Sequence, residues 1–269
     1  MNYAAITKFY LTALIMLLTL SSAALANTLV VDISEPTQLT SGIATGYPPY
    51  QFTENERVTG FDADVARLIF ARMGRSFTFQ QAPWDTVLNE LRFNKIDLIV
   101  GMEISEIRKR IFDFSAVYYH RQDVVFVLKE NQNINKIDDL VNLFVAGDRH
   151  SELERLWKKL GILYRYRIIS TSSKEQSMSM LQSGKISAAI MPKAVGLYLA
   201  KQRNIKIKII EDSTPMTPVA VAVKKGNQAL LNQINLALEQ LQVEGEIEQL
   251  YQKWFSQSLP VMHKDTVNN

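Results

Sequence analysis

Twice along this chain, short apolar segments of strand length alternate with longer segments whose apolar residues recur at helical spacing. This rhythm restricts the fold more than any other feature, because helices that alternate with strands cover the faces of a largely parallel sheet. The first series runs from a buried strand at 29–33 to a helix at 61–73, where Phe61, Val65, Leu68, Ile69 and Met73 form one stripe and Gly74 is placed to end it. A second helix at 84–93 carries Trp84, Val87, Leu88 and Leu91, and the run IDLIV at 96–100 is a compact strand stopped by Gly101. The segment DVVFVL at 123–128 breaks the rhythm and opens a second series. That series places strands at 143–146, 166–169, 188–191 and 205–210, with helices at 151–160, 174–182 and 194–203. The β-rich VAVAV at 219–223 then precedes helices at 228–243 and 246–254. The predicted fold class is α/β, in two lobes joined by the extended segments 123–128 and 219–223 as a two-strand hinge. Between these features, Tyr47-Pro48-Pro49-Tyr50 marks a turn whose prolines hold the backbone extended.

The first 26 residues stand apart. Lys8, an apolar run over 9–20 and the small-residue exit Ala24-Leu25-Ala26 describe a cleavable secretory signal. The competing reading is a membrane anchor, for which the run falls short of the roughly 20 apolar residues a span needs. Cysteine is absent, which excludes disulfides, thiolate metal ligands and a lipid-modified N-terminal cysteine. His120, His150 and His263 show no metal-ligand spacing, so no metal or other cofactor is expected. Thirty basic residues oppose 27 acidic ones, a slight and scattered excess that argues against a nucleic-acid partner.

A set of short matches, in order along the chain, resembles the family-3 solute-binding proteins, the periplasmic receptors of amino-acid ABC importers. They are YPPYQF at 47–52, GFDADVARLI at 60–69, PWDTVLNEL at 83–91, NKIDLIVGMEISEIRKRIFDFS at 94–115, KIDDL at 136–140, LQSGKISAAI at 181–190, VAVKKGN at 221–227 and EGEIEQLYQKWF at 244–255. The resemblance implies a type II periplasmic-binding-protein fold. Lobe 1 would span 28–122 and 218–260, lobe 2 would span 123–217 with the hinge strands at its ends, and 261–269 would be a flexible tail. It further implies a monomer in the periplasm that closes on a small carboxylate-bearing ligand and serves an ABC permease or a membrane sensor kinase.

The resemblance also assigns site residues. In Gly101-Met102-Glu103-Ile104-Ser105-Glu106-Ile107-Arg108, Arg108 stands where the family clamps a ligand carboxylate, a task suited to a planar guanidinium. The bland alternative is a solvated helix arginine beside Lys109 and Arg110. Glu103 replaces a family hydroxyl; it either supplies a negative partner for an ammonium, repels a second carboxylate, or is an exposed loop residue. Gly101 and Ser105 flank it. Tyr47, Tyr50 and Trp84 are candidates for aromatic lining or for ordinary core. Ser151 is the nearest match to the family's hydroxyl of the second lobe, with His150 where a glycine belongs. Ser187 and Pro192 occupy the places of the family's two aspartates, so the usual ammonium contact is missing. Tyr118 and Tyr119 are expected to be structural, and Asp62 and Asp64 to favour a helix N-terminus. No catalytic residue is assigned. The alternative function is an enzyme similar to the periplasmic cyclohexadienyl dehydratases, which act on prephenate or arogenate, with Glu103 as general acid.

Overall fold

A computed structural model describes residues 38–147, 151–211 and 214–260. The expected signal (1–26), the strand at 29–33, His150 and the tail at 261–269 lie outside the described residues. The chain begins with β1 (Gln38–Ala44), β2 (Phe52–Glu54), β3 (Arg57–Thr59), α1 (Phe61–Met73), β4 (Ser76–Ala82), α2 (Trp84–Arg92), β5 (Leu98–Glu103), α3 (Glu106–Lys109), β6 (Phe112–Phe114) and β7 (Tyr119–Arg121). There follow β8 (Asp123–Leu128), β9 (Phe144–Ala146), α4 (Glu152–Lys159), β10 (Arg167–Ile169), α5 (Lys174–Gln182), β11 (Ala188–Pro192), α6 (Lys193–Gln202) and β12 (Ile207–Glu211). The last elements are β13 (Thr217–Lys224), α7 (Gln228–Val243) and α8 (Glu246–Phe255).

Two sheets result. The first has the order β4-β1-β5-β13-β6, with β7 also on β13; the second has the order β10-β9-β11-β8-β12. In the first, β1 runs parallel to β4 and β5, while β13 is antiparallel to β5, β6 and β7. The chain passes between sheets at Gln122 and again between Glu211 and Thr217. The segment 219–223, read from sequence as hinge, is therefore a central strand of the first sheet. Its alternating small and branched apolar residues suit burial on both faces, and each of them is buried.

Strand periodicity divides the core. In β5 and β13, Leu98, Val100, Val221 and Val223 face one way, into the cluster that includes Phe61, Val65 and Ile69 of α1 and Ile234 and Leu238 of α7. Ile99, Met102 and Ala222 face the other way, against Val87 and Leu91 of α2. The second sheet repeats the scheme: Val124, Phe126, Ala189 and Met191 pack with α5 and α6, whereas Val125, Val127 and Ile190 pack with Leu153 and Trp157 of α4. Gly74 ends α1 in the left-handed conformation at φ 62°, as its place in the sequence suggested.

The turn expected at Tyr47–Tyr50 is present, but its expected extended backbone is corrected. The Tyr47–Tyr50 segment does not run extended but folds back, with Tyr50 and Gln51 both donating backbone N–H groups to the Tyr47 carbonyl at 3.0 and 2.8 Å. The reversal carries Gln51 beneath β1, where it is almost wholly buried.

Candidate functional site

The carboxyl ends of β1, β5, β9 and β10 point toward a common space, the region in which open α/β sheets present ligand sites. A cavity of about 430 Å³ lies there, lined by residues of both sheets, a size suited to a small-molecule ligand. One wall comes from Thr45 to Tyr47 after β1, Pro83 to Asp85 at the start of α2, Gly101 and Glu103 of β5, and Arg108. The opposite wall comes from Asp123 at the head of β8, Gly147, Ser151, and the run Ser170 to Lys174 that enters α5.

Arg108 is held in this wall by its own turn. Ser105 caps α3 by accepting from the Arg108 backbone N–H at 3.4 Å, and the Arg108 guanidinium donates through Nη1 to the Glu103 carbonyl at 2.8 Å. Trp84 lies with its ring centroid 5.5 Å from the guanidinium carbon. The nearest Glu103 carboxylate oxygen is 3.8 Å from Nη1, an ionic approach without a hydrogen bond. Among the described residues, the remaining guanidinium N–H groups have no protein acceptor, although Arg108 is only 9% exposed. Burial pushes its pKa below the ordinary arginine value, Glu103 works against that shift, and Arg155 from the second lobe adds to it. An anion entering the cavity would meet a desolvated cation with donors to spare.

Near Arg108 lies a second, buried charge pair, of which Arg121 reaches the cavity wall and Asp62 does not. Asp62, fully buried in the first turn of α1, accepts from Arg121 at 2.6 Å, Gln51 at 2.9 Å, Tyr118 at 2.8 Å and Tyr119 at 3.2 Å. Arg121 also donates to the Gly101 carbonyl at 3.1 Å and to the Tyr119 hydroxyl, and it lies 4.2 Å from the centroid of the Tyr50 ring. Burial opposes its charge, yet Tyr119 and Asp62 together hold its pKa well above the ordinary value. Gly101 is required here: at φ 82°, an added Cβ would sit 2.1 Å from Asp62 Oδ2.

Of the residues singled out in the sequence, Arg108, Glu103, Gly101, Tyr47, Trp84 and Ser151 line the cavity. Two do not. Ser105 spends its hydroxyl capping α3, and Tyr50 is buried as the platform under Arg121. Glu103 is not an exposed loop residue but the buried end of β5, 3.8 Å from Arg108 and 3.9 Å from Arg121. Both aspartates stand in the first turn of α1 as expected, but Asp62 is a hub of four hydrogen bonds rather than a simple partner of the helix dipole, while Asp64 is half-buried and pairs with Arg67 and Lys253. Tyr118 and Tyr119 are structural, through Asp62. Ser187 and Pro192 line nothing in the cavity, and Pro192 pairs in register with Asp123. Sequence reasoning passed over Arg121, Asp123 and the hydroxyl run Ser170 to Ser173. Four consecutive polar residues, His120 to Asp123, set between apolar YY and VVFVL were the available signal for the first two. The third was signalled by the Ser/Thr cluster that caps α5, where Ser173 accepts from the Gln176 N–H at 3.1 Å. Among the described residues, no group of three or more His, Asp or Glu is placed to hold a metal ion.

Comparison with known proteins gives concordant matches. The family of bacterial extracellular solute-binding proteins, family 3, matches residues 39–257. The arginine-binding extracellular protein ArtP of Bacillus subtilis is 26% identical over 222 residues, covering 81% of this chain and 86% of that protein. The L-cystine-binding protein TcyJ of Escherichia coli is 26% identical over 230 residues, covering 84% of this chain and 86% of that protein. Among solved structures, an ancestral arginine-binding protein bound to arginine superposes with a TM-score of 0.75 at 32% identity, covering 81% of this chain and 98% of the other.

Proposed function

The chain belongs to the bacterial extracellular solute-binding proteins of family 3, and from that premise we propose that it captures an amino acid or related organic acid in the cavity between its lobes. The observation that carries this reading is the buried Arg108 guanidinium, whose uncommitted N–H groups lie at the cavity wall. A carboxylate placed there gains charge-assisted, bidentate hydrogen bonds, each contributing about 1.5–3 kcal/mol net. Closure follows as a population shift. Ligand bound at Arg108 also meets Ser151 and the Ser170–Lys174 segment of the opposite lobe, contacts that exist only when the lobes are together, so binding favours the closed state. Rotation is concentrated at Gln122 and between Glu211 and Thr217, where the chain crosses. The working compartment is the periplasm, after removal of the segment before residue 27, and the closed form is offered to an ABC permease or a sensor kinase. The protein acts as a receptor, not as an enzyme.

The test is a thermal-shift screen of the wild type and the Arg108→Ala and Arg108→Lys variants against amino acids and organic acids, with L-arginine and L-cystine included because relatives are named for binding them. A ligand at a hundred times its Kd stabilises by about 2.7 kcal/mol. The best ligands are expected to carry a carboxylate, to give no shift with Arg108→Ala and a reduced one with Arg108→Lys. A neutral sugar as the strongest ligand, or unchanged shifts in Arg108→Ala, contradicts the proposal.

A further inference from the structure

Glu103 is where this cavity departs from a plain anion site. It is the last residue of β5, only 8% exposed, and its carboxylate lines the cavity on the same wall as Arg108. One oxygen lies 3.8 Å from Arg108 Nη1 and the other 3.9 Å from Arg121 Nη1. Among the described residues, neither oxygen takes a hydrogen bond, so the carboxylate bridges two guanidinium groups by charge alone. Arg121 is already matched, because Asp62 accepts from it at 2.6 Å. Glu103 therefore offsets the charge of Arg108, and these four groups are electrically neutral before any ligand enters. The rest of the lining adds one base, Lys174, and two acids, Asp85 and Asp123.

A carboxylate so placed is a poor partner for a ligand cation, which would stand close to both guanidinium groups and be repelled by each. Toward anions it acts as a limit. The first carboxylate of a ligand takes the uncommitted N–H groups of Arg108. A second one, on a short ligand, meets Glu103 and finds no unmatched cation on this wall. We infer that Glu103 sets the charge of the solute: the cavity admits a ligand with a single anionic group and turns away short dianions. This rests on the proposed capture of a carboxylate by Arg108 and adds the residue that restricts how much negative charge a ligand can bring. At an effective dielectric of about 20, a second carboxylate about 6 Å from Glu103 weakens binding on the order of a hundredfold. Movement of the ligand away from Glu103 within the cavity reduces the effect, so at least about tenfold is expected.

Calorimetric titration with acid and amide twins tests it. Wild type, Glu103→Gln, Glu103→Ser and Arg108→Lys are titrated at neutral pH with the common L-amino acids and with succinate, succinamate, glutarate and glutaramate. Aspartate against asparagine, glutamate against glutamine, and each diacid against its monoamide differ by one carboxylate at nearly constant shape. Wild type is expected to favour the amide of every pair it binds by at least about tenfold. Glu103→Gln keeps the shape of the wall and removes its negative charge. It is expected to narrow that ratio by at least about tenfold, through tighter binding of the acid. Glu103→Ser repeats the measurement with a shorter side chain, and retained binding of an amide shows that either variant is folded. Variants that bind acid and amide more weakly by the same factor leave the ratio unchanged; this overturns the inference, while the Arg108 reading stands. A wild type that binds an acid as tightly as its amide overturns it in the same way. So does a wild type that binds other amino acids but none of the amides, since the cavity then selects on something other than the number of carboxylates. A wild type that binds none of these ligands, or an Arg108→Lys variant unchanged toward all of them, overturns the proposed function and this inference together.

Discussion

Replacing Asp62 by Asn is the sharpest stability test of the buried pair. The substitution keeps size and shape and removes one negative charge. With its carbonyl turned toward Arg121, the new amide still accepts from Gln51, Tyr119 and Arg121, and its NH2 group meets Tyr118, whose hydroxyl can accept. Few hydrogen bonds are lost, so the effect is mainly ionic. Breaking a buried pair by neutralising one member costs about 3–5 kcal/mol. Two features place this case at the low end: Glu103 at 3.9 Å still opposes the Arg121 charge, and the Tyr50 ring lies 4.2 Å from the guanidinium. The expected loss is about 3 kcal/mol, a fall in Tm of roughly 6–12 °C for a chain of this size. Urea unfolding at neutral pH should show a lower midpoint at unchanged slope. Adding Arg121→Met should restore part of the loss, since it removes the charge left stranded. An Asp62→Asn variant within about 0.5 kcal/mol of wild type, or a double variant equal to the sum of its singles, would refute the reasoning.

Two further outcomes follow from the same region. Gly101→Ala forces a Cβ to within 2.1 Å of Asp62 and 2.6 Å of Gln51 at φ 82°, whereas Gly74→Ala at φ 62° meets nothing within 4 Å. Calorimetric melting should show the first losing about 2–4 kcal/mol and the second about 1 kcal/mol; equal losses would contradict the packing described. Burial lowers the His120 pKa from its ordinary 6.5, so the unfolded chain takes up a proton below that pH before the folded chain does. Its contribution to stability is complete above pH 6.5 and is lost as pH falls through the window below it. His120→Asn should flatten the fall of Tm on acidification below pH 6.5, and a steeper fall would count against the assignment.

Elements with strong periodicity were legible in the sequence. The helices Phe61–Met73, Lys174–Gln182 and Gln228–Val243 match their expected limits, because an apolar stripe with Gly74, a polar cap or Asn227 beside it encodes both face and end. Strands of mixed composition were not. In β1, QLTSGIA, the buried positions on its two faces include Ser41 and Gly42, which no hydrophobic pattern marks, and β4 is an edge strand whose apolar positions are only half-buried. The site divides similarly. Arg108 and Ser151 were both found through local stretches that resemble family motifs, the first a close match and the second a looser one. Tyr50 was misplaced because an aromatic beside a turn reads alike whether it faces a cavity or supports an arginine from below. The link between Asp62 and Arg121 spans 59 positions, and nothing local at either residue announces the other.

The placement of β13 affects how the molecule is made. It stands between β5 and β6, so the first sheet has a gap at its centre until residues 217–224 arrive. The second sheet draws all its strands from the continuous stretch 123–211. A nascent polypeptide delivered N-terminus first therefore completes the second sheet before the first, and the strands before residue 122 must wait, with apolar edges uncovered, until residues 217–224 follow the whole of the other lobe.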